Sequence, residues 1–216
     1  MGKIRARTDG ELAARKQEIL DAAVNQLMCE GYDAVTLATI AAQTSISRTS
    51  MYTYYEKKED VFVDLMIREY ADLEQVIRVA FALPMTRKAF CGKLTDILME
   101  HQVLLKLVSL QLPIRDGMYS DDMMRRFVEA TKPYAAALRD ALRIQFPMAD
   151  EAALNRFMVQ LTVYANCLYV AGHMPESLSN AMSAMNYFGK IPDGRTICFD
   201  GLMLLSAELE KEDEEK

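Results

Sequence analysis

Apolar residues along this chain recur at three- and four-residue steps, the spacing that places them on one face of an α-helix. The first such stripe predicts a helix from about Arg15 to Glu30, closed by Gly31 in a left-handed conformation. Alternation of the kind found in β-strands never extends beyond a few residues, and there is no internal repeat. The pattern therefore predicts an all-α protein.

Two short helices joined by a tight turn are predicted next. Thr36 is a natural N-cap for the first of them, and residues 43–46 form the turn. Ser47 then caps the second helix, in which Met51 and Tyr55 are four residues apart and can face a small core. This is the layout of a helix-turn-helix, whose second helix can lie in the DNA major groove.

Beyond this motif the same periodicity predicts a larger helical bundle. A long amphipathic helix begins at Glu59 and ends before Pro84, and the remaining predicted helices span about 86–111, 121–131, 133–146, 149–171 and 196–211. The stretch 175–195 combines a short apolar pattern with a loop-like segment. We therefore predict an N-terminal three-helix DNA-binding domain in residues 1–58 and a helical effector-binding and dimerisation domain in residues 59–216.

Composition and charge change this picture little. The chain has 216 residues, 51% of them hydrophobic and 26% charged, as in ordinary globular proteins. No apolar run approaches the ~18 residues of a membrane span, and no secretory signal is visible, so we expect a cytoplasmic protein. The net charge of −6 does not itself suggest a DNA binder. The acidic excess lies in the C-terminal tail, whereas basic residues occur in the N-terminal arm, at Arg48 and at Lys57–Lys58.

The sequence contains no recognisable metal or catalytic motif. The four cysteines are far apart, form no CxxC pair, and are accompanied by only two histidines, so we expect free buried thiols and neither a metal nor a cofactor. Paired catalytic carboxylates, a GxSxG motif, a phosphate-binding loop and a histidine beside a nucleophile are also missing. An all-helical enzyme is therefore the least favoured alternative.

Many separate positions in the first quarter of the chain form one ordered pattern. They are Ile19, Gly31-Tyr32, Thr36, Ile40-Ala41, Ile46-Ser47, Tyr52-Thr53-Tyr54-Tyr55 and Lys58. In these residues the stretch 12–62 resembles the TetR family of bacterial transcriptional regulators. The family usually has glycine in the turn where this chain has Ser45, and a left-handed backbone costs another residue about 1–2 kcal/mol. We therefore expect a slightly strained or reshaped turn.

The resemblance implies a DNA-binding transcriptional regulator, most often a repressor, whose homodimer binds a palindromic operator and is released by a small-molecule effector. Control by a protein partner instead of a small molecule is an alternative that the sequence does not separate. By position, the resemblance assigns phosphate, sugar or base contacts to Thr36, Arg48, Thr49, Tyr52, Thr53, Tyr54 and Lys58. The chemistry agrees, because hydroxyls and lysine position a protein on DNA while an arginine fork can read guanine. Tyr55 is expected in the core.

The larger domain would hold the effector and the dimer interface. Polar residues on otherwise apolar stretches are candidates to orient an effector, namely His101, Gln111, Arg115, Tyr134, Asn166 and Tyr169. Apolar bands on the helices at 149–171 and 196–211 are candidates for a four-helix dimer seam, which the resemblance implies. Its predicted residues are Leu154, Phe157, Leu161, Tyr164, Leu168, Leu202 and Leu205. The alternative is that these bands pack inside one subunit.

Overall fold

The computed structural model describes residues 9–110, 119–187, 189 and 191–210, and every regular element in those ranges is a helix. The predicted all-α class is therefore confirmed. The helices are α1 (Asp9–Glu30), α2 (Leu37–Ala42), α3 (Arg48–Met51), α4 (Lys58–Ala80), α5 (Arg87–Glu100), α6 (Gln102–Ser109), α7 (Asp121–Gln145), α8 (Glu151–Gly172), α9 (Glu176–Ala184) and α10 (Gly194–Leu205). None of these described helices is long and apolar enough to cross a membrane.

Three segments are divided into helices differently from the sequence prediction. The helix expected at 86–111 is interrupted at His101, whose backbone leaves the helical region at φ −89° and ψ 51°. The two helices expected on either side of Pro133 form one continuous helix, α7. A proline removes one backbone hydrogen bond from a helix interior, and the other turns of this 25-residue helix remain in place. The segment left uncertain at 175–195 contains α9.

The described residues form two compact units. The first comprises residues 9–68 with 119–127, and the second comprises the rest. The division therefore falls inside α4 and α7, each of which supplies residues to both units, instead of at the predicted boundary after residue 58. The start of α4 belongs to the first unit because its apolar residues are buried there; for example, the ring of Phe62 lies 5.0 Å from that of Tyr32.

Aromatic side chains form the centre of the second unit. Phe90 is fully buried, and its ring centroid lies 4.8 Å from that of Phe81, 5.3 Å from that of Phe146 and 6.4 Å from that of Phe157. Tilted and edge-on ring pairs at these distances contribute about 0.5–1.5 kcal/mol each beyond the area they bury. These contacts join α5 to α8 and to the residues that directly follow α4 and α7.

Gln145, at the end of α7, is a buried polar residue in this core. Its Oε1 accepts a hydrogen bond from the backbone N–H of Met85 at 2.9 Å. Its Nε2 donates to the carbonyl oxygens of Phe81 and Leu83 at 3.2 and 3.0 Å. One side chain thus satisfies three backbone groups in the connection between α4 and α5, which would otherwise be costly to bury.

Most of the residues predicted at a dimer seam lie in the core of a single subunit. Leu154, Phe157, Leu161, Leu168 and Leu202 are each at most 3% exposed. For these five residues the seam prediction is wrong, because their side chains are already covered by α8, α10 and their neighbours. The other two, Tyr164 and Leu205, are half-buried, and the Tyr164 hydroxyl donates to the Ile197 carbonyl of α10 at 2.7 Å.

The cysteines are free, but only two of the four are buried as expected. Cys91 and Cys198 lie in the core, whereas Cys29 and Cys167 are exposed. Burial raises the pKa of the Cys198 thiol to about 11, so that thiol stays protonated at neutral pH. Among the described residues, no three histidine, cysteine or carboxylate side chains converge as metal ligands.

Candidate nucleic-acid interface and effector cavity

The start of α2 is held by a capping box. The Thr36 hydroxyl accepts a hydrogen bond from the Thr39 N–H at 3.1 Å, and the Thr36 N–H donates to the Thr39 hydroxyl at 2.9 Å. The Thr39 hydroxyl in turn donates to the buried Gln26 amide oxygen at 2.7 Å, which fixes α2 against α1. Both Thr36 groups that the resemblance assigned to a phosphate therefore already have partners, and Thr36 serves as a helix cap.

The turn between α2 and α3 is not strained at Ser45. Asn186 is the only non-glycine residue with a positive φ in the described part of the chain. Of the two expected outcomes, a strained turn or a reshaped one, strain from a left-handed Ser45 is therefore not found. Instead the Ser45 N–H and hydroxyl both donate to the Glu18 carboxylate of α1. These bonds, with a further one from Arg15, lower the pKa of Glu18. A carboxylate from the first helix thus holds the turn.

α3 is only one turn long, so tertiary contacts must hold it in place. The Ser47 hydroxyl caps it by accepting from the Ser50 N–H at 3.1 Å. On the inner side of the helix Met51 is fully buried, and the neighbouring Ile46 and Tyr55 are only 7% and 4% exposed. The predicted burial of Met51 and Tyr55 is confirmed. α3 therefore rests on an apolar platform that fixes which of its side chains point outward.

The outward side of this segment is polar. Tyr52 is 55% exposed, Tyr54 is half-buried, and Arg48, Thr49 and Thr53 are exposed. Five of the seven residues expected to contact DNA are thus at least partly accessible to solvent. Arginine, threonine and tyrosine are side chains that can bind base edges and phosphates.

Lys58, the first residue of α4, is half-buried. Its Nζ donates to the Tyr32 carbonyl at 3.0 Å and lies 4.2 Å from the centre of the Tyr32 ring. An ammonium group has three N–H donors, and the carbonyl uses one of them. Lys58 therefore links α4 to the turn after α1 and still has donors for a phosphate.

Asp64 connects several parts of the first unit. Its carboxylate accepts the Tyr55 hydroxyl at 2.9 Å and pairs with Arg126 of α7 at 2.5 Å and with Lys16 of α1 at 3.5 Å. Burial, followed by the charge of Asp64, raises the pKa of Tyr55. The sequence prediction missed this role, although an acidic residue among the buried Val63 and Leu65 was a usable signal.

A cavity of about 30 Å³ lies in the second unit. It is lined by Tyr70, Leu73, Leu98, Leu104, Leu105, Val108, Tyr134, Leu161, Thr162 and Ala165, from α4, α5, α6, α7 and α8. The rings of Tyr70 and Tyr134 lie 4.9 Å apart, and burial raises the pKa of both phenols. None of these lining side chains is charged. The cavity has mainly apolar walls and a few polar groups, here two phenols. This combination is typical of small-molecule sites.

Residues 19–65 match the family model for bacterial regulatory proteins of the tetR family. These residues, which include the helix-turn-helix, therefore form a DNA-binding segment of the TetR type, as found in bacterial regulators of transcription. No curated protein sequence matches the chain.

Solved structures share the fold of this chain. A TetR/AcrR family regulator from Thermobifida fusca is 16% identical with a TM-score of 0.57, covering 92% of this chain and 100% of that one. Thermus thermophilus FadR, a TetR-family repressor in complex with lauroyl-CoA, is 17% identical with a TM-score of 0.57, covering 92% and 97%. Bacillus subtilis FadR, in complex with stearoyl-CoA, is 18% identical with a TM-score of 0.55, covering 89% and 98%.

Of the residues predicted to orient an effector, the structure brings Tyr134 to the cavity. His101 ends α5, where its Nδ1 lies 2.7 Å from the Ile97 carbonyl oxygen. Tyr169 stacks on His173 with a ring separation of 4.0 Å, and Asn166 is half-buried on α8 without lining the cavity. The two remaining predicted residues, Gln111 and Arg115, lie outside the described residues.

Tyr70 is the cavity residue that the sequence prediction missed. It precedes the buried Leu73 and Ile77 of α4 by three and seven residues, which is the helical spacing of one face. A tyrosine on that buried face was a signal for a polar group within the core.

Proposed function

We propose that this TetR-family chain is a bacterial homodimeric repressor that binds a palindromic operator and leaves it when a small-molecule effector enters the cavity beside Tyr134. The observation that carries the proposal is the polar outer face of α3, held on its buried platform. A reading helix must present polar groups at a fixed angle to the groove. The apolar contacts of Met51, Ile46 and Tyr55 provide that fixed angle.

The side chains divide into two groups by chemistry. In this proposal Arg48, Thr49 and Thr53 face base edges, and Arg48 binds the guanine O6 and N7 atoms. Tyr52, Tyr54 and Lys58 bind sugar or phosphate, as the resemblance implied. Each phosphate neutralised by a cation adds about one unit to the salt dependence of binding. Thr36 contributes by holding α2 in place.

A second apolar face on α8 supports the dimer. Val159, Val163 and Val170 are 64%, 62% and 61% exposed, and their spacing of four and seven residues puts them on one side of the helix. This side is opposite the buried Leu154 and Leu161. A helix that is apolar on both sides needs two packing partners, and a second copy of α8 is the partner that two-fold symmetry supplies.

Two observations support control by a small molecule. The second unit contains the cavity lined by Tyr134, and two proteins with this fold are complexes with acyl-CoA compounds. A cavity of about 30 Å³ holds little more than a water molecule, so an effector has to move its walls. It can shift the DNA-bound state only through its different affinities for the two conformations.

The DNA assignment is tested by first selecting binding sequences from random duplexes with the wild-type protein. Arg48→Ala and Tyr52→Ala are then compared with wild type by gel shift on a selected duplex. We expect both variants to lose retention, because Arg48 reads bases and Tyr52 binds the backbone. Lys88→Ala, which removes an exposed charge of α5 in the second unit, is the matched control and should retain the duplex.

Native mass spectrometry of each variant checks that the dimer persists. The proposal requires selected sequences with two related half-sites, and unchanged retention by both Arg48→Ala and Tyr52→Ala would contradict it. Protein purified from its own host can also be examined for a retained small molecule. A retained protein instead would favour the alternative of control by a protein partner.

A further inference from the structure

We propose that the effector is an uncharged, mainly apolar molecule with a single hydroxyl or carbonyl group, held between α4 and α7 beside Tyr70 and Tyr134. This inference rests on the proposed ligand control and specifies the chemistry of that same cavity. It follows from the charge, polarity and hydrogen bonding of the lining residues.

The described residues that line the cavity include no group that could neutralise an ionised ligand. Seven of the ten described residues that line the cavity are Leu, Val or Ala, and the other three carry only hydroxyls. Moving an ionised carboxylate from water into such surroundings without a cationic partner costs many kcal/mol, so charged groups are excluded in practice. An apolar skeleton, in contrast, gains free energy from every Å² that leaves water.

Two of the three hydroxyl groups in the cavity wall differ in their hydrogen bonding. Thr162 donates to the Met158 carbonyl of its own helix at 2.9 Å. Tyr134 is half-buried at the cavity wall, and none of the described residues shares a hydrogen bond with its hydroxyl. The phenol O–H can therefore donate a hydrogen bond to one carbonyl or hydroxyl oxygen of a ligand.

A second concavity in the same unit has a different character. It measures about 260 Å³ and lies between α4 and α7 nearer the end of α4, with Arg78 and Asp140 among its lining residues. These two charged groups lie 4.0 Å apart, and both side chains are largely exposed. Arg78 also pairs with Glu74. This concavity is a surface groove with charged residues in its wall, whereas half of the described residues that line the cavity beside Tyr134 are buried and none of them is charged.

The lining chemistry also separates this chain from the acyl-CoA complexes with which it shares its fold. The coenzyme A part of such a ligand carries several phosphate charges, and proteins bind phosphate with arginine, lysine or helix N-termini. The ten described lining residues include no arginine or lysine. We therefore expect neutral compounds to bind this chain in preference to acyl-CoA compounds of the same chain length.

The test uses neutral and charged probes of matched shape. 2-Decanone is compared with decanoate and decanoyl-CoA, and propiophenone with benzoate, by equilibrium dialysis at pH 7.5 against the full-length dimer. We expect at least one neutral probe to bind at least about tenfold more tightly than its charged counterparts, and Tyr134→Phe to weaken that probe about three- to tenfold.

Cavity-filling variants locate the binding. Ala165→Leu fills the space from α8 and should weaken the neutral probe at least about tenfold, whereas the same change at the exposed Ala89 of α5 should leave binding unchanged. If Ala165→Leu does not fold, Val108→Phe fills the cavity from α6. Circular dichroism confirms that each variant is folded.

Three results would overturn the inference: tighter or equal binding of decanoate, benzoate or decanoyl-CoA, binding that survives both cavity-filling variants, or no binding of either neutral probe. A failure of this inference can be distinguished from a failure of the proposed function. If a charged probe binds and releases the selected duplex, ligand control stands and the neutral class falls. If the Arg48 and Tyr52 variants retain DNA, the DNA assignment falls whatever the probes do.

Discussion

Met51 and Tyr52 are adjacent in the chain, and we predict opposite consequences of replacing each with alanine. Met51 is fully buried beneath α3, whereas Tyr52 is 55% exposed. Truncation of a fully buried methionine to alanine costs about 2–5 kcal/mol, through lost transfer free energy and the cavity that remains. Truncation of an exposed side chain usually changes stability by no more than about 0.5 kcal/mol.

The assay is urea unfolding followed by circular dichroism, with hydrogen exchange of peptides from residues 36–55 to report on the first unit alone. For a denaturant slope of about 2 kcal/mol per M, the Met51→Ala midpoint for those peptides should fall by roughly 1–2.5 M. The Tyr52→Ala midpoint should stay within about 0.3 M of wild type. Met51→Leu, which nearly conserves volume, should cost less than about 1.5 kcal/mol.

The two variants should therefore lose DNA for different reasons. Tyr52→Ala should be folded and fail to retain the selected duplex, whereas Met51→Ala should expose the amides of α3 to exchange. The reasoning is refuted if Met51→Ala is as stable as wild type, or if Tyr52→Ala destabilises the first unit by more than about 1 kcal/mol. The first result would show that Met51 does not anchor α3, and the second that the Tyr52 side chain contributes to packing.

Three further changes test other parts of the structure. Gln145→Ala should cost at least about 2 kcal/mol in thermal unfolding, because it leaves three backbone groups without partners, whereas the exposed Gln75→Ala should cost almost nothing. Val163→Glu should give monomers in sedimentation, while Val128→Glu, on an exposed site of α7, should not. Bonds from Ser45 lower the pKa of Glu18 below 4.5, so their stabilisation is present above about pH 4.5 and lost as pH falls through the lowered pKa. Acid unfolding of Glu18→Gln should therefore be less steep than that of wild type, and an equal slope would contradict this.

The features that the sequence predicted well are those set by neighbouring residues. The caps at Thr36 and Ser47 and the burial of Met51 and Tyr55 depend on spacings of three or four residues, which a single helix determines. Gly31 has φ +83°, a conformation that glycine readily adopts, and it too could be recognised from its position after an apolar stripe.

The features that the sequence did not predict depend on partners far along the chain. Gln145 bonds to backbone atoms about 60 residues away, and no local pattern reveals such a partner. On α8, the apolar residues cover both sides of the helix, so periodicity could not decide which side faces the core. The prediction assigned the buried side to the dimer, and the structure leaves the valine side exposed.

The bond between Ser45 and Glu18 has a consequence for transplanting this DNA-reading segment. The turn takes its shape from a carboxylate 27 residues earlier in the chain, and not from a glycine within the turn itself. A chimaera that carries residues 36–55 into another scaffold would therefore lack the carboxylate that holds the turn. Glu18 would have to be transplanted as well, or Ser45 replaced by glycine, for α3 to keep its orientation.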